Sequence, residues 1–210
     1  MIAVSTLVRR ERRWKLGGRR RETVETVDLG MLALRLLAGG LLAGHGAQKL
    51  FGWFGGHGPE GTAGWLESLG FRPGRHWALA AGLSEFGGGL LTGLGLLNPL
   101  GPVAMMAPMT MATAKVHWGK PIWANAGGAE LPLTNMAIAT AVATAGPGRL
   151  SLDGLLGIRL PWQLTSLAVT GTAAGVALGL MSRPSPGPAQ EVAGTELQAE
   201  GSGTDGTAGD

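Results

Sequence analysis

Five long apolar segments divide this chain, and each of them is a candidate membrane-spanning helix. They cover residues 29–50, 77–97, 100–118, 129–145 and 162–181. A spanning helix needs about 20 mainly apolar residues, with a range near 17–25. The first two segments reach that length easily, the next two lie at its short end, and the fifth is long enough but rich in Ala, Gly and Thr. We therefore predict an all-α fold: a transmembrane four-helix bundle with an additional C-terminal helix.

The composition agrees with helices that pack closely in a membrane. Charged residues make up 15% of the chain, against about 25% in an average soluble domain. Fifteen of the 38 glycines lie inside the apolar segments, where small residues let membrane helices approach each other. The chain has no cysteine, which excludes disulfides, cysteine-ligated zinc and cysteine-ligated iron–sulfur clusters.

The two ends of the chain carry opposite charge. Residues 1–28 hold eight Lys/Arg and four acids, whereas residues 182–210 hold one Arg and five acids. A basic head can bind nucleic acid, but one that directly precedes a long apolar run is more typical of a topogenic signal or a contact with anionic lipid. We therefore predict the lipid bilayer as a partner and no nucleic acid. The first segment exceeds the apolar core of about 7–15 residues of a cleaved signal peptide, so we predict that it is retained.

The positive-inside rule places the basic N-terminus in the cytoplasm of a multi-pass plasma-membrane protein. The loops at 52–76 and 119–128 then lie outside, and the Asn98-Pro99 turn and residues 146–161 lie inside. We expect Pro108 to kink the third segment. If the fifth segment spans, the acidic tail ends outside; if it lies on the surface, the tail stays in the cytoplasm. The predicted organisation is a mobile basic head, a four-helix membrane domain, a fifth helix and a disordered acidic tail, at 1–27, 28–160, 161–182 and 183–210.

Ionisable side chains inside the apolar segments are costly in a membrane and are therefore functional candidates. At 1.5 Å per residue, His45 and Glu85 lie about 8 and 12 Å below the outer surface, close enough in depth to meet. Two readings stay open: a polar pocket for a small anion or a quinone head group, or a buried network that fixes helix register. Arg35 lies nearer the inner face, where we interpret it as structural, with Asp28 or Asp153 as its partner. The candidate pocket consists of His45, Gln48, Lys49, Glu85, His117, Asn125 and Glu130, with Trp53, Phe54 and Trp123 as its walls.

Other chemistries fit the sequence less well. A bis-His haem would need His45 and His117 opposed at one depth, which their spacing does not require. Residues 52–58 are rich in glycine but lack the Gly-Lys-Ser/Thr ending of a phosphate loop. We predict no metal site, and the catalytic residues, if there are any, are unknown.

Four motifs in order resemble the DoxX family of small integral membrane proteins. Residues 45–56 read HGAQKLFGWFGG and are followed by the Glu-Gly-Thr at 60–62, which resembles the family's opening motif. Glu85 with the three glycines at 87–89 matches its second helix. Residues 125–132 resemble an Asn-Gly-Gly-Tyr-Glu-Leu element, with Ala126 inserted and Ala129 at the aromatic position. Residues 146–153 resemble the closing motif, so the likeness covers about residues 28–157.

The resemblance implies a four-helix membrane bundle. Family members are linked to thiosulfate:quinone oxidoreductase subunits and to membrane oxidoreductase complexes, and no agreed catalytic set carries over. We therefore expect a membrane subunit or partner of a quinone-linked oxidoreductase system, with quinone or a small sulfur oxyanion as the pocket's ligand. The alternatives are a non-catalytic membrane scaffold or assembly factor whose charged termini recruit partners, and a small-solute transporter. Oxidoreductase subunits and a second copy of the chain are the expected protein partners.

Overall fold

The computed structural model describes residues 2–183, with side chains from Thr26 onward. These residues form helices and no strand, which confirms the predicted all-α class. The acidic tail from residue 184 lies outside the described residues, and the mobility of the basic head stays a prediction. The helices are α1 (Ile2–Phe51), α2 (Gly58–Ser68), α3 (Gly74–Leu94), α4 (Leu100–Met111), α5 (Glu130–Ala145), α6 (Leu152–Leu156) and α7 (Trp162–Met181), with a π-helical turn at Ala112–Val116 and short 3-10 turns at Trp53–Gly55 and Ala124–Ala126.

From residue 29 onward the helices follow the apolar segments, but α1 begins at Ile2, well before the first of them, and α2 was not predicted. We assigned residues 52–76 to a loop, but Pro59 occupies the first turn of an 11-residue helix there, with Glu60 beside it. Proline and an acidic residue both favour a helix N-terminus. Thr62, Ala63 and Leu66 form its buried face. Because this apolar face is short, the glycines around it obscure the helical periodicity of α2 in the sequence.

Helices α1 and α3 pack so closely that their backbones nearly touch. A Cβ atom on Gly39 would lie 2.6 Å from the carbonyl oxygen of Gly89, and one on Gly89 would lie 2.6 Å from the carbonyl oxygen of Gly39. Farther along, Gly46 faces Phe86 in the same way. Residue numbers rise along α1 as they fall along α3, so the two helices are antiparallel. Only glycine permits this approach, as is common where membrane helices cross.

The remaining helices assemble around α4. It packs against α3, α5 and α7, and α2 packs against α3 beside α1. Ala38 and Leu42 of α1 meet Met105 and Met109 of α4 and Ala139 of α5 in an apolar cluster. We call the end of the bundle where α1 finishes the Phe51 end, and the opposite end, with the turn between α3 and α4, the Asn98 end.

Polar groups tie the Asn98 end together. The fully buried Arg35 donates to the carbonyl oxygens of Leu150 at 2.6 Å and Gly93 at 3.3 Å. Asp153 accepts the backbone N–H groups of Leu97 and Asn98, both at 2.8 Å. Arg35 thus holds the segment after α5 against α3, and Asp153 holds the turn after α3. Arg35 therefore binds backbone carbonyl oxygens, and neither of its predicted partners, Asp28 or Asp153, lies within ion-pair distance of it.

Two helical stretches are long and apolar enough to cross a membrane: Thr26–Phe51 in α1 and Trp162–Met181, which is α7. Only these two among the described residues pass that test, so a transmembrane four-helix bundle is not confirmed. α5 has 16 residues and α4 has 12, or about 24 and 18 Å at 1.5 Å per residue, against a hydrocarbon core of about 30 Å. α3 is longer but carries Glu85 and a basic first turn.

The close approach of α1 and α3 predicts that alanine substitutions at two adjacent glycines have different effects on stability. Gly39→Ala should lower the free energy of unfolding by about 1–3 kcal/mol, because the new methyl group meets backbone atoms that cannot move aside. Gly40→Ala is the matched control, since a Cβ there has no atom within 4 Å. The measurement is the fraction of folded protein that remains after heating in detergent. Equal losses for the two variants would contradict the packing.

Candidate functional site

A cavity of about 560 Å³ lies between α2, α3, α4 and α7, toward the Phe51 end. Most of its lining is apolar, and its aromatic walls are Trp65 of α2, Phe71 of the following loop and Trp77 of α3. Its charged lining consists of Lys49, Glu85 and Lys115. Ligand pockets commonly have this size and this mixture of an apolar wall with a few polar groups.

Lys49 and Glu85 form an ion pair at the wall of the cavity. Lys49 Nζ donates to Glu85 Oε2, and the two side chains are 23% and 6% exposed. The pair joins α1 to α3, and the glycine contacts between these helices bring the two residues opposite each other. Glu85 Oε1 accepts no hydrogen bond from any described side chain or backbone group. One carboxylate oxygen is therefore available to a ligand that donates a hydrogen bond.

Pro108 opens the backbone of α4 at the cavity, and α3 supplies the missing donor. A proline has no N–H, so the carbonyl oxygen four residues earlier, that of Ala104, loses its helical partner. Ser84 Oγ donates to this oxygen at 2.6 Å. Beyond Pro108 the hydrogen bonds widen to π geometry over Ala112–Val116. Pro108 thus removes one backbone hydrogen bond of α4, which a side chain of α3 replaces, and the predicted kink stays a prediction.

Lys115 lies in this π-helical turn and connects α4 to α7. Its Nζ donates to the carbonyl oxygens of Ser182 at 2.6 Å and Leu180 at 3.1 Å. A positive charge at the C-terminal end of a helix meets unpaired carbonyl groups and the negative end of the helix dipole. The ammonium group also lies 5.9 Å from the centre of the Phe71 ring. Within the described part of the chain it has no carboxylate within 4.0 Å, so carbonyl oxygens are its hydrogen-bond acceptors.

The other predicted pocket residues lie near the Phe51 end but outside this cavity. His45 is exposed and pairs through Nδ1 with Gln48 Oε1 at 3.1 Å, and Gln48 donates to the Phe54 carbonyl oxygen. His117 Nδ1 lies 2.7 Å from the Gly127 carbonyl oxygen. Glu130 accepts the backbone N–H of Ala124 at 2.8 Å, beside the exposed Asn125. The structure therefore brings Lys49 and Glu85 together, leaves His45, Gln48, His117 and Glu130 in local contacts, and leaves Asn125 exposed.

The predicted aromatic walls differ from those of the cavity. Trp53, Phe54 and Trp123 are all more than half exposed, and none of them lines it. Trp65, Phe71 and Trp77 take that place. Trp65 belongs to α2, which the sequence did not predict, so this wall was missed together with its helix. Nothing in the sequence shows that Gly171 and Gly175 of α7 face the same cavity, because that depends on how α7 packs.

The arrangement suits a mostly apolar molecule that has oxygen atoms at its polar positions. The aromatic side chains can contact a flat ring, Lys49 and Lys115 can donate to carbonyl or anionic oxygens, and Glu85 Oε1 can accept from a hydroxyl. The described residues contain no cluster of three or more metal-ligating side chains.

The comparisons with known proteins identify one family. Residues 30–118 match the family model DoxX, which confirms the resemblance over the first two of its four motifs. The elements at 125–132 and 146–153 lie beyond the match, as does α7. No curated protein and no solved structure matches the chain. The match covers α1 from residue 30, all of α2 and α3, and α4 with its π-helical turn.

The buried ion pair predicts a strong coupling between its members. Lys49→Met should destabilise the protein by about 3–5 kcal/mol, because it leaves the Glu85 carboxylate buried without its partner. Lys49→Met with Glu85→Leu should be more stable than Lys49→Met alone, since no buried charge remains. Thermal unfolding of the four members of this double-mutant cycle measures the coupling. Additive effects would show that the two side chains do not interact.

The hydrogen bond from Ser84 to α4 predicts that Pro108→Ala reduces the loss of stability caused by Ser84→Ala. Ser84→Ala should cost about 1–3 kcal/mol, because the Ala104 carbonyl oxygen is left without a donor. In a Pro108→Ala background the backbone N–H of residue 108 can fill that position, and Ser84→Ala should then cost much less. The same heating assay in detergent compares the two backgrounds. A cost that is unchanged by Pro108→Ala would argue against this account of the hydrogen bond.

Proposed function

Because residues 30–118 match the DoxX family model, we propose that the chain is a multi-pass protein of the plasma membrane. In this proposal α1, α3, α4 and α5 form a transmembrane four-helix bundle and α7 crosses as a fifth helix. The π-helical turn extends α4 to Val116, and a helix shorter than the bilayer is accommodated by local thinning at modest cost. Exposed tryptophans at the helix ends support the assignment, because this side chain favours the membrane–water interface. They include Trp53, Trp118, Trp123 and Trp162.

The proposed orientation has the N-terminus in the cytoplasm and the Phe51 end outside. The basic residues that precede the first apolar segment support it through the positive-inside rule. The contacts of Lys115 put the C-terminal end of α7 at the Phe51 end. A spanning α7 therefore carries the acidic tail outside, which is one of the two outcomes that the sequence leaves open.

The proposed function is that of a membrane subunit of, or partner to, a quinone-linked oxidoreductase system. The observation that carries it is the cavity itself: three aromatic walls and an apolar lining around the buried Lys49–Glu85 pair. A quinone has a flat apolar ring with carbonyl oxygens that lysine can bind, and its reduced form has hydroxyls that can donate to Glu85 Oε1. A small sulfur oxyanion fits less well, because most of the lining would leave its oxygens without donors.

Binding of a soluble quinone analogue tests the proposal. Decylubiquinone should bind to the protein purified in detergent, as measured by isothermal titration calorimetry. Gly175→Leu should weaken binding at least about tenfold, or 1.4 kcal/mol, because Gly175 lines the cavity and the larger side chain occupies its volume. Ala174→Leu adds the same side chain at an exposed neighbour outside the lining and should leave the affinity unchanged.

Glu85→Gln provides the second arm of the same experiment. It keeps the size of the side chain but removes the carboxylate, so it should weaken binding of the reduced, hydroxyl-bearing analogue more than that of the oxidised one. Absence of binding to the unmodified protein would sink the quinone proposal and favour a non-catalytic scaffold. Equal affinities for Gly175→Leu and Ala174→Leu would place any bound quinone outside this cavity.

A further inference from the structure

Helix α7 is held to the rest of the protein along a narrow contact. Only 6% of its apolar stretch is buried, against 39% for that of α1. Its main packing partner is α4, and it lies beyond the residues that match the DoxX family. Its remaining surface is apolar, with exposed Leu164, Leu167 and Leu178. This helix therefore lies outside the matched residues and covers one side of the cavity.

The contact is tight at the C-terminal end of α7. A Cβ on Gly179 would lie 2.9 Å from Met111 Cε and 3.3 Å from Phe71 Cε1, so the backbone of α7 lies directly on these two side chains. The Lys115 ammonium group binds the carbonyl oxygens of Leu180 and Ser182 just beyond this point. Hydrogen bonds and packing thus coincide within the last turn of the helix.

The middle of α7 stands away from α4. Gly171 and Gly175 line the cavity, and a Cβ on either of them would meet no atom within 4 Å. The opposite walls are tied to each other, since Ser84 of α3 donates to the Ala104 carbonyl oxygen of α4. Of the helices around the cavity, α7 is therefore the one that can move with the smallest loss of contacts.

We propose that α7 is a lateral lid, fixed at its C-terminal end by Lys115 and Gly179, and that the occupant of the cavity passes from the lipid phase through the seam between α4 and α7. Outward movement of the middle of α7 breaks few contacts and opens the cavity toward the hydrocarbon region. The proposal uses the cavity of the proposed function and the membrane location, but it does not require that the occupant is a quinone. Lys115 serves here as a positioning residue, because it acts through α7.

Cysteine labelling tests the route without any quinone, because the natural chain contains no cysteine. Ala107→Cys places one thiol on the α4 wall of the cavity. In lipid nanodiscs it should react faster with lipid-soluble N-phenylmaleimide than with a charged, sulfonated maleimide, relative to the rates of the two reagents with free cysteine. Faster relative reaction with the charged reagent would place the access route in water and overturn the proposal.

A variant that removes the hydrogen bonds between Lys115 and α7 tests whether α7 acts as a lid. Adding Lys115→Met removes both hydrogen bonds to α7 and should raise the N-phenylmaleimide rate at Ala107→Cys several-fold. Lys120→Met is the matched control, because Lys120 is exposed and makes no described hydrogen bond to α7. An unchanged elution volume on size exclusion establishes that each variant is folded. A Lys115→Met rate equal to that of the control would overturn the lid, and this result is independent of any measurement of quinone binding.

Discussion

The close crossing of α1 and α3 is the contact on which the rest of the molecule depends. Gly39 and Gly89 let the two backbones approach to a separation that a single methyl group would prevent. Farther toward the Phe51 end, the same crossing brings Lys49 of α1 to Glu85 of α3. In a medium that gives little solvation to a charge, such a pair is tolerable only when its geometry is held in place. Here the close packing of the two helix backbones fixes the positions of Lys49 and Glu85 relative to each other.

The two ends of the bundle differ in how their polar groups are used. At the Asn98 end, Arg35 and Asp153 bind backbone groups of α3 and of the loops. At the Phe51 end, α2 and the separation of the middle of α7 from α4 leave a cavity with charged groups in its wall. Space between the helices of a bundle is a common place for a ligand pocket.

Apolar periodicity and length predicted α5 and α7 to within one residue at each end and α3 to within three, because long apolar runs permit few alternatives. They did not predict that α1 begins at Ile2 instead of residue 29, or that α4 changes to a π-helical turn at Ala112. They also predicted that Glu85 would meet a residue of the first helix, since antiparallel neighbours place equal depths side by side. The partner is Lys49, one turn beyond His45, because the rotation of each helix about its axis depends on the glycine contacts. The aromatic walls and the role of α7 escaped prediction for a related reason: both depend on contacts between segments distant in sequence.

The hydrogen bond from Ser84 to the Ala104 carbonyl oxygen has a mechanical consequence. A regular helix satisfies its own backbone and can slide past a neighbour, whereas α4 at Pro108 relies on a donor from α3. Ser84 also adjoins Glu85 in the chain, so this contact between α3 and α4 lies next to the ion pair in the cavity wall. The bond therefore holds α4 in register with α3 at the level of the cavity.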